Sequence, residues 1–442
     1  MLPKWTRFSS GSRLWAPPPL FSDMMTPHRE SKSNKPGRPD RRLAPRPLPA
    51  HLASAMLLWL SSRAALPSLK NALLPSSAAG ERLRSLAREI AAAGSDDVAD
   101  ALDREIARRA ESYLTGLEAY RWHPYRRART ARPVLWSEGT TRLLDYASKS
   151  AGPVILVVPS LINRYYVLDL LPELSFLRHL AERGLRPLVI DWGAPGSAER
   201  DFGLTDYIAG RLEAAFTVAS GVARAPIGVV GYCMGGLLAL ALARGREQET
   251  GCLALLATPW DFHAGRAALA RLLGSIADHL SLFCAGNGSV PVEVIQALFL
   301  LLDPFSAERK FTRFASLDPD SDEARCFVAL EDWVNDGVPL TLGVATGVAR
   351  SWYRENEPAR GLWEVAGKEV DPKRLGRPAL VVVPSRDRIV PPNSAEPLAG
   401  KLAGAVTLRA PLGHVGMMSA ARARGMLWTP IADWLWEQLG GQ

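Results

Sequence analysis

The apolar run from Ile227 to Val230 ends in Gly231-Tyr232-Cys233-Met234-Gly235-Gly236 and passes straight into the helix-forming run from Leu237 to Ala243. A short apolar stretch, a glycine-bracketed turn and a helix describe a strand that reverses sharply into a helix, the geometry of a nucleophile elbow. The middle residue of such a turn sits in a strained backbone conformation. The glycines two before and two after it are needed for strand and helix to pack closely. Cys233 stands at that crest, where serine is usual. A thiolate at a helix N-terminus is favoured by the helix dipole and attacks esters and thioesters readily. The bland alternative is a buried structural cysteine in a Gly-rich turn, and the preceding strand and flanking glycines weigh against it.

The rest of the chain supplies the sheet that such a turn needs. Near Val134 the hydrophobic period becomes two: Val134-Leu135-Trp136 and Arg142 to Tyr146 flank Ser137-Glu138-Gly139-Thr140, which predicts a β-hairpin. Strand candidates then alternate with helix-length stretches: Val154 to Val158, Pro187 to Ile190, Ile227 to Val230, Cys252 to Ala257, Ala379 to Val383 and Val406 to Leu408. This alternation predicts a mostly parallel, doubly wound α/β sheet. Helix-rich and Pro-rich sequence from about 261 to 375 interrupts the rhythm. It reads as a cap inserted over the carboxyl ends of the strands, where the elbow also opens.

Upstream, three segments are expected. Residues 1–50 hold ten of the 34 prolines, and their ten Lys/Arg against three Asp/Glu carry nearly all of the formal charge of +8. That composition predicts a disordered basic tail, with Met24 or Met25 as alternative starts. Residues 51–130 read as a helical region, with one apolar stripe through Leu52, Met56, Trp59 and Leu60 broken by Pro67 and Pro75. Further stripes run through Leu83, Leu86 and Ile90 and through Val98, Leu102 and Ile106, and are expected to cover the main domain. Residues 131–442 read as the catalytic domain. Because the body is nearly neutral, it lacks the clustered basic surface of a nucleic-acid groove.

Four cysteines without metal-ligand or CxxC spacing point to a reducing, cytoplasmic setting with no disulfide framework, and no apolar run is long enough to span a membrane. No phosphate loop, metal motif or cofactor motif stands out.

A cysteine nucleophile needs a base, and the base needs an orienting acid. Asp387 follows the strand candidate ending at Val383, and His414 follows the one ending at Leu408, so the chain order is nucleophile, acid, histidine. Taken singly, an Asp in an Arg-Asp-Arg turn is a solvated loop residue and a post-strand His arises by chance; together with the elbow they form a triad. His179 lies in a helix pattern, and His263, beside Asp261 at the cap entrance, reads as structural. For the oxyanion, the Met234 amide is one candidate donor and the loop Pro159 to Arg164 supplies the other.

These residues resemble the polyhydroxyalkanoate synthases, cysteine-dependent members of the α/β-hydrolase superfamily. The resemblance spans roughly residues 130–440 and rests on Pro159-Ser160-Leu161-Ile162-Asn163-Arg164-Tyr165-Tyr166-Val167-Leu168-Asp169-Leu170, Val189-Ile190-Asp191-Trp192-Gly193 and the Cys233 motif. It continues through Thr258-Pro259-Trp260-Asp261-Phe262, Trp333-Val334-Asn335-Asp336, Asp387-Arg388-Ile389-Val390-Pro391 and Gly413-His414-Val415-Gly416. It implies an α/β-hydrolase fold and polymerisation of 3-hydroxyacyl-CoA into polyester without a cofactor, at the surface of a polyester granule. By the same resemblance Cys233 carries the acyl group, His414 is the general base, and Asp387 orients it or helps activate the monomer hydroxyl. The amides of Met234 and Ile162 then form the oxyanion hole. Whether the chain works as a homodimer or with a partner subunit stays open. The chain departs from the family in having Arg388 where His usually follows the acid. The alternatives are a cysteine hydrolase of the same fold (a thioesterase, a dienelactone-hydrolase-like enzyme or an intracellular polyester depolymerase) and a non-catalytic granule-binding protein.

Overall fold

The structure is a computed structural model that describes residues 41–440 apart from 44, 70–77, 129, 224, 285 and 287. The expectations for residues 1–40 and for Pro75 lie outside the described residues. Within the segment expected to be tail, Arg42 and Arg46 are tied to distant residues, and a helix begins at Leu48. Arg42 is part-buried, with its side chain only 8% exposed; it pairs with Asp332 at 2.6 Å and also donates to the main-chain oxygens of Tyr120, His123 and Tyr125. Arg46 reaches Glu293 and Asn335. Composition alone reads these arginines as solvated charge, but each meets a carboxylate far away in sequence.

Three helices follow: α1 (Leu48–Leu69), α2 (Ala78–Ala93) and α3 (Ser95–Trp122). Pro67 lies inside α1 rather than breaking it, because a proline near a helix end removes only one hydrogen bond. The expected apolar stripe is split. Leu52 and Trp59 pack inward with buried Ala55, whereas Met56, Leu57 and Leu60 are exposed, as are Leu83 and Leu86 on α2. What α3 covers is the cap: Tyr113 and Tyr120 pack on Phe311, with ring centroids 6.4 and 5.6 Å apart.

An eight-stranded sheet forms the centre. In chain order its strands are β1 (Val134–Glu138), β2 (Thr141–Asp145), β3 (Val154–Val158), β4 (Arg186–Asp191), β5 (Ile227–Tyr232), β6 (Thr250–Leu256), β7 (Ala379–Pro384) and β8 (Val406–Ala410). Their spatial order is β1-β2-β4-β3-β5-β6-β7-β8. The hairpin pair is antiparallel, β2 meets β4 antiparallel, and every later pairing is parallel. Strands β3, β5, β6 and β7 are buried along their whole length, which explains why they read as continuous apolar runs rather than alternating ones. Alternate residues feed two cores: Leu156, Val158 and Val229 face one, Ile155, Val157 and Val230 the other.

On the first face lie α5 (Glu213–Ala223) and α6 (Met234–Gly245); on the second lie α4 (Phe176–Glu182) and the last helix, Thr429–Leu439. From Met234 to Ala243, α6 is buried on all sides. This explains its Leu/Ala sequence without a polar stripe. Each fully buried leucine there contributes roughly 1.5–3 kcal/mol. This order, with the crossing at β4-β3-β5 and a helix springing from the end of β5, is the α/β-hydrolase fold.

Between β6 and β7 the chain leaves the sheet to build the cap, whose main helices are α7 (Ala267–Ser275), α8 (Val292–Leu300), α9 (Ser306–Phe314) and α10 (Asp322–Asn335). A two-strand ribbon, Ser289–Val290 with Leu340–Thr341, ties its middle together. No described helix is long and apolar enough to cross a membrane.

Candidate active site

Cys233 adopts φ 56° and ψ −127°, one of four non-glycine residues with positive φ among the described residues. A residue held there exists only where its surroundings enforce it. They do so through the three flanking glycines. A Cβ on Gly231 would strike the backbone of Gly236, one on Gly235 the carbonyl oxygens of Val158 and Pro159, and one on Gly236 the side chain of Thr258. The Cys233 amide donates to the Leu256 oxygen at 2.8 Å, and the Gly236 amide to the Cys233 oxygen at 2.9 Å. The turn is therefore fastened to β6 and to the loop after β3.

His414 and Asp387 come from the loops after β8 and β7, and both are buried. His414 Nδ1 lies 2.6 Å from Asp387 Oδ2, and the Cys233 sulfur is near enough to act on the charge of the imidazole. Asp387 Oδ1 accepts from the Ile389 and Val390 amides at 2.7 and 2.8 Å, which fixes the carboxylate. Burial opposes charging of His414, but the adjacent sulfur and carboxylate outweigh it and push its pKa up to about 10. The structure thus brings Cys233, His414 and Asp387 together in the chain order expected.

Tyr232 supports this set without having been singled out from sequence. Its ring stacks on the His414 imidazole, with centroids 5.3 Å apart and planes 29° apart, and its hydroxyl donates to the His414 main-chain oxygen at 3.2 Å. Burial, with the charges of Cys233 and Asp387 nearby, keeps the phenol protonated. Its place next to the nucleophile was a signal that it would be near, but local sequence carries no sign of what a side chain stacks on.

Met234 opens α6, so its amide has no intrahelical acceptor. Ile162 lines the same cavity as Cys233 and Met234, and its amide donates to Ser160 Oγ at 3.1 Å. The Ile162 loop is held from several sides. Trp192 Nε1 donates to the Pro159 oxygen at 3.0 Å, and Trp333 Nε1 to the Arg164 oxygen at 2.7 Å. Asn163 bridges to Gly337, and the Tyr166 hydroxyl donates to Asp336 at 3.0 Å. Two motifs far apart in sequence, Asn163 to Tyr166 and Trp333 to Asp336, thus clasp each other and tie the cap to this loop.

His179 is buried in α4 beside Thr429, and His263 is bonded through its ring to the Tyr353 oxygen at 2.8 Å, so both act as structural residues.

Above Cys233 the cap encloses a cavity of about 180 Å³. Its walls are overwhelmingly apolar, with Leu273, Leu298, Phe299, Val348 and Trp352 among them, and Tyr353, Asp261, Arg266 and Ser394 as the polar exceptions beside the thiol. His414 and Asp387 are not in the lining.

The sheet order and the elbow define an α/β-hydrolase fold with a cysteine at the crest of the turn. In sequence the chain is similar to poly(3-hydroxyalkanoate) polymerase subunits. It is 28% identical over 319 residues to the poly(3-hydroxyalkanoate) polymerase subunit PhaC of Haloferax mediterranei, covering 70% of this chain and 64% of the relative. The corresponding subunit of Allochromatium vinosum is 28% identical over 318 residues, covering 70% and 88%. A shorter stretch of 142 residues is 34% identical to the subunit of Cupriavidus necator, covering 30% and 24%. No protein-family model matches the chain. Among solved structures, an esterase from Thermogutta terrifontis aligns with 71% of this chain and 100% of its own at 15% identity and a TM-score of 0.45.

Proposed function

We propose that this chain is a poly(3-hydroxyalkanoate) synthase-like acyltransferase that polymerises 3-hydroxyacyl-CoA through a thioester on Cys233. The observation that carries the reading is the thiol on a strained elbow, close to a buried, hydrogen-bonded His414–Asp387 pair and lining an apolar cavity. The relationship to the polymerase subunits supports the substrate class.

In the first step Cys233 Sγ, with its proton already resident on His414, attacks the thioester carbonyl. The oxyanion is met by the Met234 amide and by the Ile162 amide, which exchanges Ser160 Oγ for the developing charge. Collapse expels CoA, whose sulfur takes the proton back from His414, and leaves the acyl group on Cys233. In the second step the 3-hydroxyl of another unit, deprotonated by His414 with Asp387 steadying the imidazolium, attacks an acyl carbonyl. An ester forms and a thiol is released. An apolar cavity favours attack by that hydroxyl over water. A polyester product places the enzyme at a granule surface, and the exposed aliphatic residues of α1 leave room for a partner subunit or second copy.

The same constellation in a wetter cavity would be a cysteine hydrolase. Incubating the protein with 3-hydroxybutyryl-CoA and assaying free CoA, free 3-hydroxybutyrate and insoluble polymer separately decides between them. Polymer with CoA is expected; CoA with stoichiometric free acid overturns the synthase reading, and no CoA release from acyl chains of several lengths overturns catalysis on CoA esters altogether.

A further inference from the structure

A cavity of about 180 Å³ takes an acyl chain but falls short of the 300 Å³ or more that larger ligands fill, so a nucleotide carrier must keep its phosphates outside. Where they would rest is marked by charge. Arg266 contributes a guanidinium to the otherwise apolar lining, and none of the ion pairs among the described residues involves it. The other charge in that wall, Asp261, is already engaged. Its Oδ1 accepts from the His263 and Ala264 amides and from Asn356 Nδ2 at 2.9 to 3.1 Å. Arg266 Nη2 donates to the main-chain oxygen of Arg388. Arg388 lies between Asp387 and the lining residues Ile389, Val390 and Pro391, so this bond joins the cavity to its rim.

The Arg388 side chain is 78% exposed. Its one carboxylate neighbour, Asp303 at 3.3 Å, also pairs with Arg309 at 2.5 Å and follows the lining residue Leu302. Two guanidiniums share one carboxylate, and with Arg266 the rim keeps a net positive charge. Planar guanidiniums match phosphate oxygens in pairs.

Resting on the acyl-CoA reading above, we infer that Arg266 and Arg388 form the docking site for the phosphates of the CoA carrier, with the acyl chain reaching past them to Cys233. Arg388 then provides, at the position where the resembled family has His, a charge that recognises the leaving group rather than the acyl group.

The test compares two thioesters of the same acyl group, 3-hydroxybutyryl-CoA and the phosphate-free N-acetylcysteamine thioester, on wild type, Arg388→Ala and Arg388→Glu. The readout is the ratio of kcat/KM for the CoA ester to that for the short ester. Arg388→Ala is expected to lower this ratio about fivefold to tenfold through KM, with a larger fall in Arg388→Glu. Raising the salt concentration should lower the wild-type ratio and leave that of Arg388→Ala nearly flat. Equal ratios in all three proteins overturn the docking site while leaving thioester chemistry intact. A wild type that turns over neither ester overturns the acyl-CoA reading itself.

Discussion

The strand-elbow-helix unit around Cys233 and the cap above it are built under opposite constraints. In the elbow almost nothing can change: three glycines face backbone or buried side chains with no room for a Cβ, and the helix behind is buried on every side. The cap is held at a few points instead. Near the cavity these include the Trp333–Arg164 bond, the Asn163–Gly337 bridge, the Tyr166–Asp336 bond and the Asn356 contacts to Asp261 and Phe262. Between them lie apolar side chains whose volumes set the cavity. The difference teaches what each region fixes: the elbow sets its geometry through rigid backbone, and the cavity takes its shape from replaceable side chains.

The largest expected effect tests the rigid half. Cys233→Ala should lower CoA release by about 10⁴-fold or more with an unchanged circular dichroism spectrum. Residual turnover near the wild-type rate would show that the elbow does not carry the chemistry. His414→Gln should cost about 10²- to 10⁴-fold in kcat. It also carries a pH signature. Because the folded pKa of His414 is raised to about 10 against an unfolded value near 6.5, its stabilisation is complete below about pH 6.5 and disappears as pH rises through about 10. Wild type should therefore lose melting temperature across that window, and His414→Gln should lose less. Equal slopes would mean that the pair contributes no charge interaction.

Gly235→Ala should then destabilise the fold by about 3 kcal/mol in urea titration, since its Cβ meets carbonyl oxygens that cannot move away. A cost below about 1 kcal/mol would mean that the elbow is more pliant than the contrast requires. The smallest effect belongs to the cap. Phe299→Ala should shift kcat/KM toward longer acyl chains by roughly tenfold, the scale of a methylene or more in an apolar pocket. An unchanged chain-length profile would place substrate choice elsewhere.

The same contrast decides what sequence alone makes legible. The buried strands show as apolar runs, and the turn shows through glycines at fixed offsets, because both are local necessities. Asp387 and His414 are singled out by their places after strand candidates, and they meet at 2.6 Å because those strands, β7 and β8, are neighbours in the sheet. The rest depends on partners far away in sequence. Arg42 reads as tail charge until Asp332 is beside it, and Met56 reads as core until α1 turns it outward. The motifs at Asn163 and Trp333 carry no local sign that they meet, and neither Tyr232 nor Arg266 can be assigned a task before its neighbours are known.

The absence of His414 from the cavity lining has a practical consequence for chemical labelling. A reagent entering the roofed space meets the sulfur among apolar walls, whereas the imidazole sits behind them against Asp387. Thiol-directed alkylators that enter there are therefore expected to modify Cys233 and spare His414.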